Sequence, residues 1–392
     1  MSRRLARILG VSLLLLSAGE VLLLQWAWLS FAGSGLSVLG AAAALVALGA
    51  FNFAALAWSR RCLRANSGMR LIGRTWLLGS VAALLAGILL AGVFVLAGGG
   101  VWFFGGEALV RPTLAWLGGA SVLLAFGSVL WGASVGDRRV RVDRVDLRVA
   151  KLAPENPELR IAQISDLHIG PLLGPERVRE FVERIRRVEP DLIVITGDIF
   201  DFDPAYVEEG CRALAGLHAP HGVYAVLGNH DVYTGAGVVA DGLAHHTGIR
   251  LLRDEWELLS VGRTELAVAG VEDSGQGWTE RESENLILER LAGEIPDRLP
   301  SLLLAHRPSY FGQAARLGFS VVLSGHTHGG QVALPLAHHY NPSRLISHWT
   351  RGVFRAGEST LYVSRGLGMA GLPLRINCPR EITLLHLAPV PG

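Results

Sequence analysis

The chain has 392 residues, enough for two or three domains, and 50% of them are hydrophobic. Its formal net charge is only +2, which excludes a strongly basic molecule, so no nucleic-acid partner is expected. Cys62, Cys211 and Cys378 are widely spaced and form no CxxC pair, so they indicate no disulfide framework.

Four apolar runs near the N-terminus are long enough to cross a membrane as helices, at about residues 8–31, 36–58, 75–97 and 113–135. Arginines cluster before the first run, after the second and after the fourth. They are Arg3, Arg4 and Arg7; Arg60, Arg61, Arg64, Arg70 and Arg74; and Arg138, Arg139 and Arg141. The positive-inside rule therefore predicts a multi-pass protein of the inner (plasma) membrane, with its N-terminus and its C-terminal domain in the cytoplasm.

Glu20 lies near the middle of the first predicted span. An ionisable group at that depth is a candidate for a functional role. No basic residue lies within another predicted span to pair with it. A neutral Glu20, hydrogen-bonded at a contact between helices, is the alternative.

The composition changes at residue 136, and we assign residues 136–392 to a second domain. Residues 139–149 alternate polar and apolar, which predicts a half-exposed strand at a sheet edge. After Pro154 and Pro157, strand-like and helix-like patterns alternate, which predicts an α/β fold with two mixed sheets and helices outside. Helical patterns fit residues 175–188, 204–217, 236–246, 283–291 and 309–317, and strand pairs without helices fit residues 250–272 and 359–386.

Five apolar, strand-like runs in this domain end in residue types that bind metals. The runs are residues 159–165, 191–196, 222–227, 301–305 and 319–323, and they lead into Asp166 and His168, Asp198, Asn229 and His230, His306, and His326 and His328. In open α/β sheets the ligand site lies outside the strand ends, so we expect these side chains to converge. We also expect Gly325 to let the last loop bend sharply.

The residue types indicate two divalent metal ions. Mn, Fe and Zn ions accept mixed imidazole and carboxylate ligands. Two such ions, about 3.5–4 Å apart, can hold a phosphoryl group, and an aspartate must bridge them to offset their repulsion. The candidate ligands are Asp166, His168, Asp198, Asn229, His306, His326 and His328. The lack of cysteine among them argues against a Cys-rich structural zinc site.

The order of these motifs, from about residue 160 onwards, resembles that of the calcineurin-like metallophosphoesterases. The Gly-His-Thr-His-Gly-Gly-Gln segment and the segment 364–368 resemble their membrane-anchored bacterial branch, which includes relatives of the pyrophosphatases acting on UDP-diacylglucosamine. The resemblance implies a two-sheet α/β/β/α sandwich, preceded here by four transmembrane helices. It also implies that one metal ion binds Asp166, His168, Asp198 and His328, and the other binds Asp198, Asn229, His306 and His326.

The resemblance further implies that Asp198 bridges the ions and that His230 is the general acid, oriented by Asp201. We therefore expect a membrane-anchored phosphoesterase that hydrolyses a phosphodiester or pyrophosphate of a lipid-linked substrate at the inner leaflet. The alternatives are a soluble phosphoester, such as a nucleotide or phosphoprotein, and a non-catalytic metal-binding sensor. Residues 332–349, an apolar stretch after the last motif, are either a lid or membrane-facing lip or a long surface loop.

Overall fold

The computed structural model describes residues 3–32, 34–63, 67–104, 107–149, 151–152, 159–262, 264–276, 285–334, 337, 339–345 and 347–390. The predictions for Arg64, Pro154, Pro157 and residues 283–284 lie outside these residues. So do residues 335–336, 338 and 346 of the stretch 332–349. Contacts divide the chain into two compact units, Met1–Val135 with Leu372–Leu374, and Gly136–Gly371 with Arg375–Gly392.

In the part of the N-terminal region that the structure describes, the first unit contains four α-helices. They are α1 (Arg3–Ala27), α2 (Val38–Leu63), α3 (Ser67–Phe104) and α4 (Glu107–Trp131), and short π-helical turns extend α1 and α4 through Trp28–Ala32 and Gly132–Gly136. Each helix contains a run long and apolar enough to cross a membrane, at Gly10–Ala32, Val38–Ser59, Gly68–Ala97 and Val110–Gly136. The prediction of four apolar helices in this region is confirmed.

Glu20 of α1 is hydrogen-bonded to α2. The side-chain amide of Asn52 donates to Glu20 Oε2 at 2.7 Å and to Ser17 Oγ at 3.2 Å. Asn52 and Ser17 are buried. This arrangement matches the second alternative for Glu20, a hydrogen-bonded contact between helices.

The second unit contains twelve strands and five α-helices among the described residues. The strands are β1 (Val140–Val149), β2 (Leu159–Ile164), β3 (Leu192–Thr196), β4 (Val223–Val226), β5 (Ile249–Leu251), β6 (Glu255–Val261), β7 (Thr264–Val271), β8 (Ser301–Ala305), β9 (Val321–Ser324), β10 (Gly352–Ala356), β11 (Ser359–Val363) and β12 (Arg380–Pro389). The helices are α5 (Pro175–Arg186), α6 (Val207–Leu214), α7 (Asn229–His246), α8 (Leu286–Glu294) and α9 (Phe311–Arg316).

The strands form two mixed, six-stranded sheets. The first has the order β1-β12-β2-β3-β4-β5, and the second has the order β10-β11-β9-β8-β7-β6. In the first sheet β1 is the edge strand, as predicted, and runs parallel to β12 with Val140 opposite Arg380. The strands β2 to β5 run parallel to one another, so their carboxyl ends lie at the same edge of the sheet.

The central strands are apolar on both faces because each sheet is covered on both sides. Leu192 and Val194 of β3 pack in a cluster with Leu302 of β8, between the two sheets. Ile193 of β3 faces the other way, into a cluster that contains Phe181 of α5. A third cluster joins the second sheet to α8 and α9. The layers are therefore helices, sheet, sheet and helices, and the predicted α/β fold is confirmed.

One prediction about these elements is wrong. The segment 359–386 does not form a strand pair, because β11 pairs with β9 and β10 in the second sheet while β12 pairs with β1 and β2 in the first. The strand pair predicted at 250–272 is present, since β6 and β7 pair antiparallel there, although the segment also includes most of β5, which belongs to the first sheet. Apolar patterns locate strands along the chain, but the partner of a strand depends on contacts that are distant in sequence.

The helix predicted at residues 236–246 begins earlier, at Asn229. Asp231, in its first turn, accepts a hydrogen bond from the backbone N–H of Gly228 at 2.9 Å, which caps the helix N-terminus. Gly235, with φ of 116°, kinks the helix, which explains why the helical pattern is clear only beyond it. Asn229 and His230 therefore lie in the first turn of α7 rather than in a loop.

Candidate metal centre

The residues at five strand ends come together in the second unit. Asp166 and His168 follow β2, Asp198 follows β3, Asn229 and His230 follow β4, His306 follows β8, and His326 and His328 follow β9. Backbone hydrogen bonds join neighbouring ends, since Asp166 N–H donates to the carbonyl of Gly197 at 3.0 Å and Gly325 N–H donates to that of His306 at 3.0 Å. Except for His326, which is half-buried, all of these ligand candidates are buried.

One group of ligand atoms surrounds His168. Its Nε2 lies 3.0 Å from Nε2 of His328 and 3.5 Å from Oδ2 of Asp198. Nε2 of His328 lies 3.5 Å from Oδ1 of Asp166. Two ligand atoms that share an ion at about 2.0–2.2 Å are separated by about 3.0–3.5 Å, so these distances fit one bound ion.

A second group of ligand atoms surrounds His306. Its Nε2 lies 3.2 Å from Oδ2 of Asp198 and 3.2 Å from Nδ1 of His326. Asn229, which follows β4, is buried, and the backbone N–H of the next residue, His230, donates to Oδ1 of Asp198 at 2.8 Å. Oδ2 of Asp198 is therefore common to both groups.

The hydrogen bonding of the site also fits metal ions. Asp166 Oδ2 and Asn229 Oδ1 are buried and have no hydrogen-bond partner among the described residues. Buried polar atoms without partners are rare in proteins, because each has lost its hydrogen bonds to water without gaining others, which costs free energy. The ligand atoms are nitrogen and oxygen, a set that suits Mn²⁺, Fe²⁺ and Zn²⁺.

Three residues of the site have, without an ion, the protonation states that bind metals. His306 does not, because burial would lower its pKa but the charge of Asp198 raises it to about 10, so an ion bound there would displace a proton. Burial alone would raise the pKa of Asp198, but the imidazoles of His306 and His230 hold it well below its ordinary value. Burial lowers the pKa of His326 and of His328 well below the ordinary value, so both rings are neutral and keep a free lone pair. An ionised carboxylate and neutral imidazoles are the forms that bind divalent ions.

Several ligand candidates have backbones in the left-handed region. The φ angles are 51° for Asp166, 49° for His168, 52° for Asp198, 69° for His326 and 51° for His328. Such conformations cost about 1–3 kcal/mol each in non-glycine residues, and they cluster at functional sites. The bend at each strand end is thus made by the ligand residue itself.

Gly325 serves a purpose different from the predicted bend, because its φ is not in the left-handed region. A Cβ atom at this position would lie 1.9 Å from Ser165 Oγ and 2.3 Å from Asp166 Oδ2. Only glycine therefore allows the β9 end to approach the β2 end this closely.

His230 and Asp201 form a hydrogen-bonded pair next to the ligand groups. Nδ1 of His230 lies 2.9 Å from Oδ1 of Asp201. Burial would raise the pKa of Asp201, but hydrogen bonds with His168 and His230 hold it well below its ordinary value. Asp201 is therefore an anion able to fix the Nδ1–H tautomer of His230. His230 also lies close enough to His168 and Asp198 to bind an ion with them.

Asp231 is a structural residue of the site that sequence reasoning missed. Its carboxylate accepts hydrogen bonds from the backbone N–H groups of Ile199 at 3.1 Å, Phe200 at 2.8 Å and Gly228 at 2.9 Å. It therefore joins the ends of β3 and β4. Burial, followed by the negative charge of Asp198, raises the pKa of Asp231 to about 6. Its position at the third residue of a helix was the available signal.

Arg375 is a second residue that sequence reasoning missed. Its guanidinium group is fully buried and donates to the backbone carbonyls of Arg365, Gly366 and Gly368 at 2.9, 3.1 and 2.6 Å. The same loop holds the β2 end, since Gly368 N–H donates to the carbonyl of Asp166 at 2.6 Å. Arg375 therefore supports Asp166 through one intervening loop.

Arg307, the neighbour of His306, forms a buried, two-pronged ion pair with Asp273. Its Nε lies 2.5 Å from Oδ2 of Asp273, and one terminal nitrogen lies 3.0 Å from Oδ1. The pair fixes the backbone that follows β8.

Comparisons with known proteins agree with this arrangement. Residues 159–330 match the sequence profile of a family described as calcineurin-like phosphoesterase. An uncharacterized metallophosphoesterase of Aquifex aeolicus is 33% identical over 253 residues, which cover 63% of this chain and 92% of that protein. The uncharacterized metallophosphoesterase YkuE of Bacillus subtilis is 34% identical over 234 residues, which cover 58% of this chain and 78% of that protein.

A bovine protein described as a transmembrane protein with metallophosphoesterase domain is 32% identical over 260 residues, or 64% of this chain. The alignment spans 57% of the length of that relative.

Proposed function

The chain belongs to the calcineurin-like metallophosphoesterase family, and from that premise we propose that it is a membrane-anchored, two-metal hydrolase of phosphodiester or pyrophosphate bonds. The observation that supports this proposal most strongly is the shared position of Asp198 Oδ2, which lies within 3.5 Å of His168 and 3.2 Å of His306. A single carboxylate oxygen common to two ligand groups is the arrangement that two neighbouring ions need. We propose residues 136–392 as the catalytic domain.

We assign the ligands to two ions. The first is held by Asp166, His168, Asp198 and His328, and the second by Asp198, Asn229, His306 and His326. When bound, two divalent ions polarise the phosphoryl oxygens and lower the pKa of water. Asp198 offsets the repulsion between the ions, and the neutral rings of His326 and His328 bind without first releasing a proton.

His230 acts as the general acid for the leaving group. Its Nδ1–H donates to Asp201, so the proton that it transfers is the one on Nε2. Its backbone N–H is fixed by Asp198, which holds the imidazole beside the metal centre. A purely structural metal site has no use for a histidine held in this way.

We propose that the substrate is linked to a lipid at the inner leaflet and that the catalytic domain is cytoplasmic. The positive-inside pattern supports the orientation. Arg138, Arg139 and Arg141 follow α4 in sequence and are exposed, and each basic residue close to an anionic surface contributes about 1 kcal/mol of attraction. In the stretch 332–349, Leu334, Tyr340 and Leu345 are exposed, which fits contact with acyl chains.

The lipid proposal is tested with full-length protein in mixed micelles, on acylated and deacylated forms of a candidate substrate such as UDP-diacylglucosamine. We expect a higher kcat/KM for the acylated form, because a membrane-tethered site meets lipid headgroups at a high effective concentration. Leu345→Glu is expected to reduce this advantage several-fold. Leu258→Glu, at an exposed leucine of β6, is the matched control. Equal kcat/KM on both forms would instead favour the hydrolysis of a soluble phosphoester.

A further inference from the structure

Two aromatic side chains lie exposed beside the proposed general acid. Phe202 is 48% exposed and Tyr233 is 40% exposed. Their rings are nearly parallel, with an angle of 5° and a centroid separation of 5.6 Å. The ring centroid of His230 lies 4.4 Å from that of Phe202 and 5.7 Å from that of Tyr233. Together the two rings form an aromatic surface that adjoins His230.

The backbone of Phe202 is held in an uncommon conformation. Its φ is 57°, and Asp203 N–H donates to the carbonyl of Asp201 at 2.7 Å, which closes a tight turn around Phe202. A bulky side chain in the left-handed region is unusual, and glycine or asparagine would suit this turn better. The turn therefore keeps a large apolar ring in solvent at a backbone position that does not favour it.

Tyr233 is also fixed in place. Its hydroxyl donates to the carbonyl of Gly275 at 3.0 Å, and its ring stacks beside Phe202. The aromatic surface is thus ordered before a ligand arrives, which reduces the entropy lost on binding.

We propose that Phe202 and Tyr233 form a stacking surface for a planar aromatic ring in the leaving group, so that preferred substrates carry a nucleobase or an aryl group there. This inference rests on the proposed function, because it takes His230 to stand on the leaving-group side. In the reaction a water oxygen bonds to phosphorus and the bond from phosphorus to the leaving oxygen breaks. The proton of His230 goes to the leaving oxygen, and a proton from the attacking water restores His230.

The chemistry of this surface suits a ligand that stacks on it better than a ligand that is recognised by its charge. The exposed faces are apolar π systems, and a base stacks on such faces whatever its hydrogen-bonding edge. Removing one stacking ring lowers affinity for the base by about 5- to 100-fold in other proteins. A ring bound here would lie next to the group that protonates the leaving oxygen.

The test compares two substrates in the full-length, Mn²⁺-loaded protein in detergent. One is an alkyl diphosphate ester of uridine, and the other is the same compound without the uracil base. We expect the wild type to prefer the base-bearing compound, and we expect Phe202→Ala to lower the ratio of the two kcat/KM values by about 5- to 100-fold. Phe202→Leu should behave like Phe202→Ala, whereas Phe202→Tyr should restore the ratio because it restores a planar ring.

Leu258→Ala removes an equally exposed side chain, at 48%, and is expected to leave the ratio unchanged. Calorimetric binding of uridine monophosphate and ribose 5-phosphate provides a second readout, in which only the nucleotide should lose affinity in Phe202→Ala. Hydrolysis of both compounds with an unchanged ratio in Phe202→Ala would overturn the stacking inference and leave the proposed function intact. Absence of hydrolysis of either compound by the wild type would overturn the proposed function, and this inference with it.

Discussion

At the scale of single residues, His230 and Asp198 perform different tasks although they touch. The backbone N–H of His230 donates to Oδ1 of Asp198, while Oδ2 of Asp198 lies next to Nε2 of His168 and Nε2 of His306. The imidazole of His230 bonds instead to Asp201. Substitutions at these positions should therefore separate metal binding from turnover.

We expect His230→Ala to keep two metal ions per chain and to lose about 10²- to 10⁴-fold in kcat, the usual contribution of a general acid. Elemental analysis of the folded, desalted protein gives the ion count, and hydrolysis of an aryl phosphodiester gives kcat. His245→Ala, at an exposed position of α7, is the control and should alter neither quantity. Loss of an ion in folded His230→Ala would show that His230 is a ligand.

At the scale of secondary-structure elements, the loop between β11 and β12 is hydrogen-bonded to the end of β2, where Asp166 lies. Arg375 donates to three carbonyls within residues 365–368, and Gly368 N–H donates to Asp166. The chain crosses from the second sheet to the first in this segment, so the loop is tied to both sheets.

We expect Arg375→Met to lower the free energy of unfolding by about 2–4 kcal/mol, because several buried carbonyls lose their donors at once. The melting temperature of metal-free protein measures this loss without involving the metal site. Arg375→Lys should recover part of the stability, since an ammonium group can donate to some of the same carbonyls. A melting temperature of Arg375→Met equal to that of the wild type would contradict this account of the loop.

The sequence predicted which strand ends come together, because buried parallel strands are apolar on both faces and these ends carry residue types that can bind metals. It did not predict that β11 and β12 lie in different sheets, because pairing depends on distant contacts. Neither did it predict that Arg375 holds the loop of residues 365–368. Its partners are backbone carbonyls, which every residue has, so no residue type in the sequence marks them. The sequence could have predicted that Asp231 caps a helix, but only if α7 had been known to begin at Asn229.

At the scale of the whole molecule, the orientation of the chain in the membrane decides which substrates reach the site. We expect the C-terminus to face the cytoplasm, because the arginine clusters adjoin alternate ends of the four apolar helices. A fluorescent reporter fused to the C-terminus should be bright, and an alkaline phosphatase reporter fused there should be inactive. The reverse pattern, with the connection between α1 and α2 in the cytoplasm, would overturn the orientation.

The most direct test of the central claim is a Mn²⁺ titration of chelator-treated full-length protein, with hydrolysis of an aryl phosphodiester followed at each addition. We predict no activity in chelator and full activity only when the second equivalent is bound. Asp198→Asn should remain inactive throughout, because it removes the charge that both ions share, whereas Asp241→Asn, at an exposed position of α7, should behave as the wild type. Full activity with one bound ion, or in excess chelator, would contradict the two-metal account.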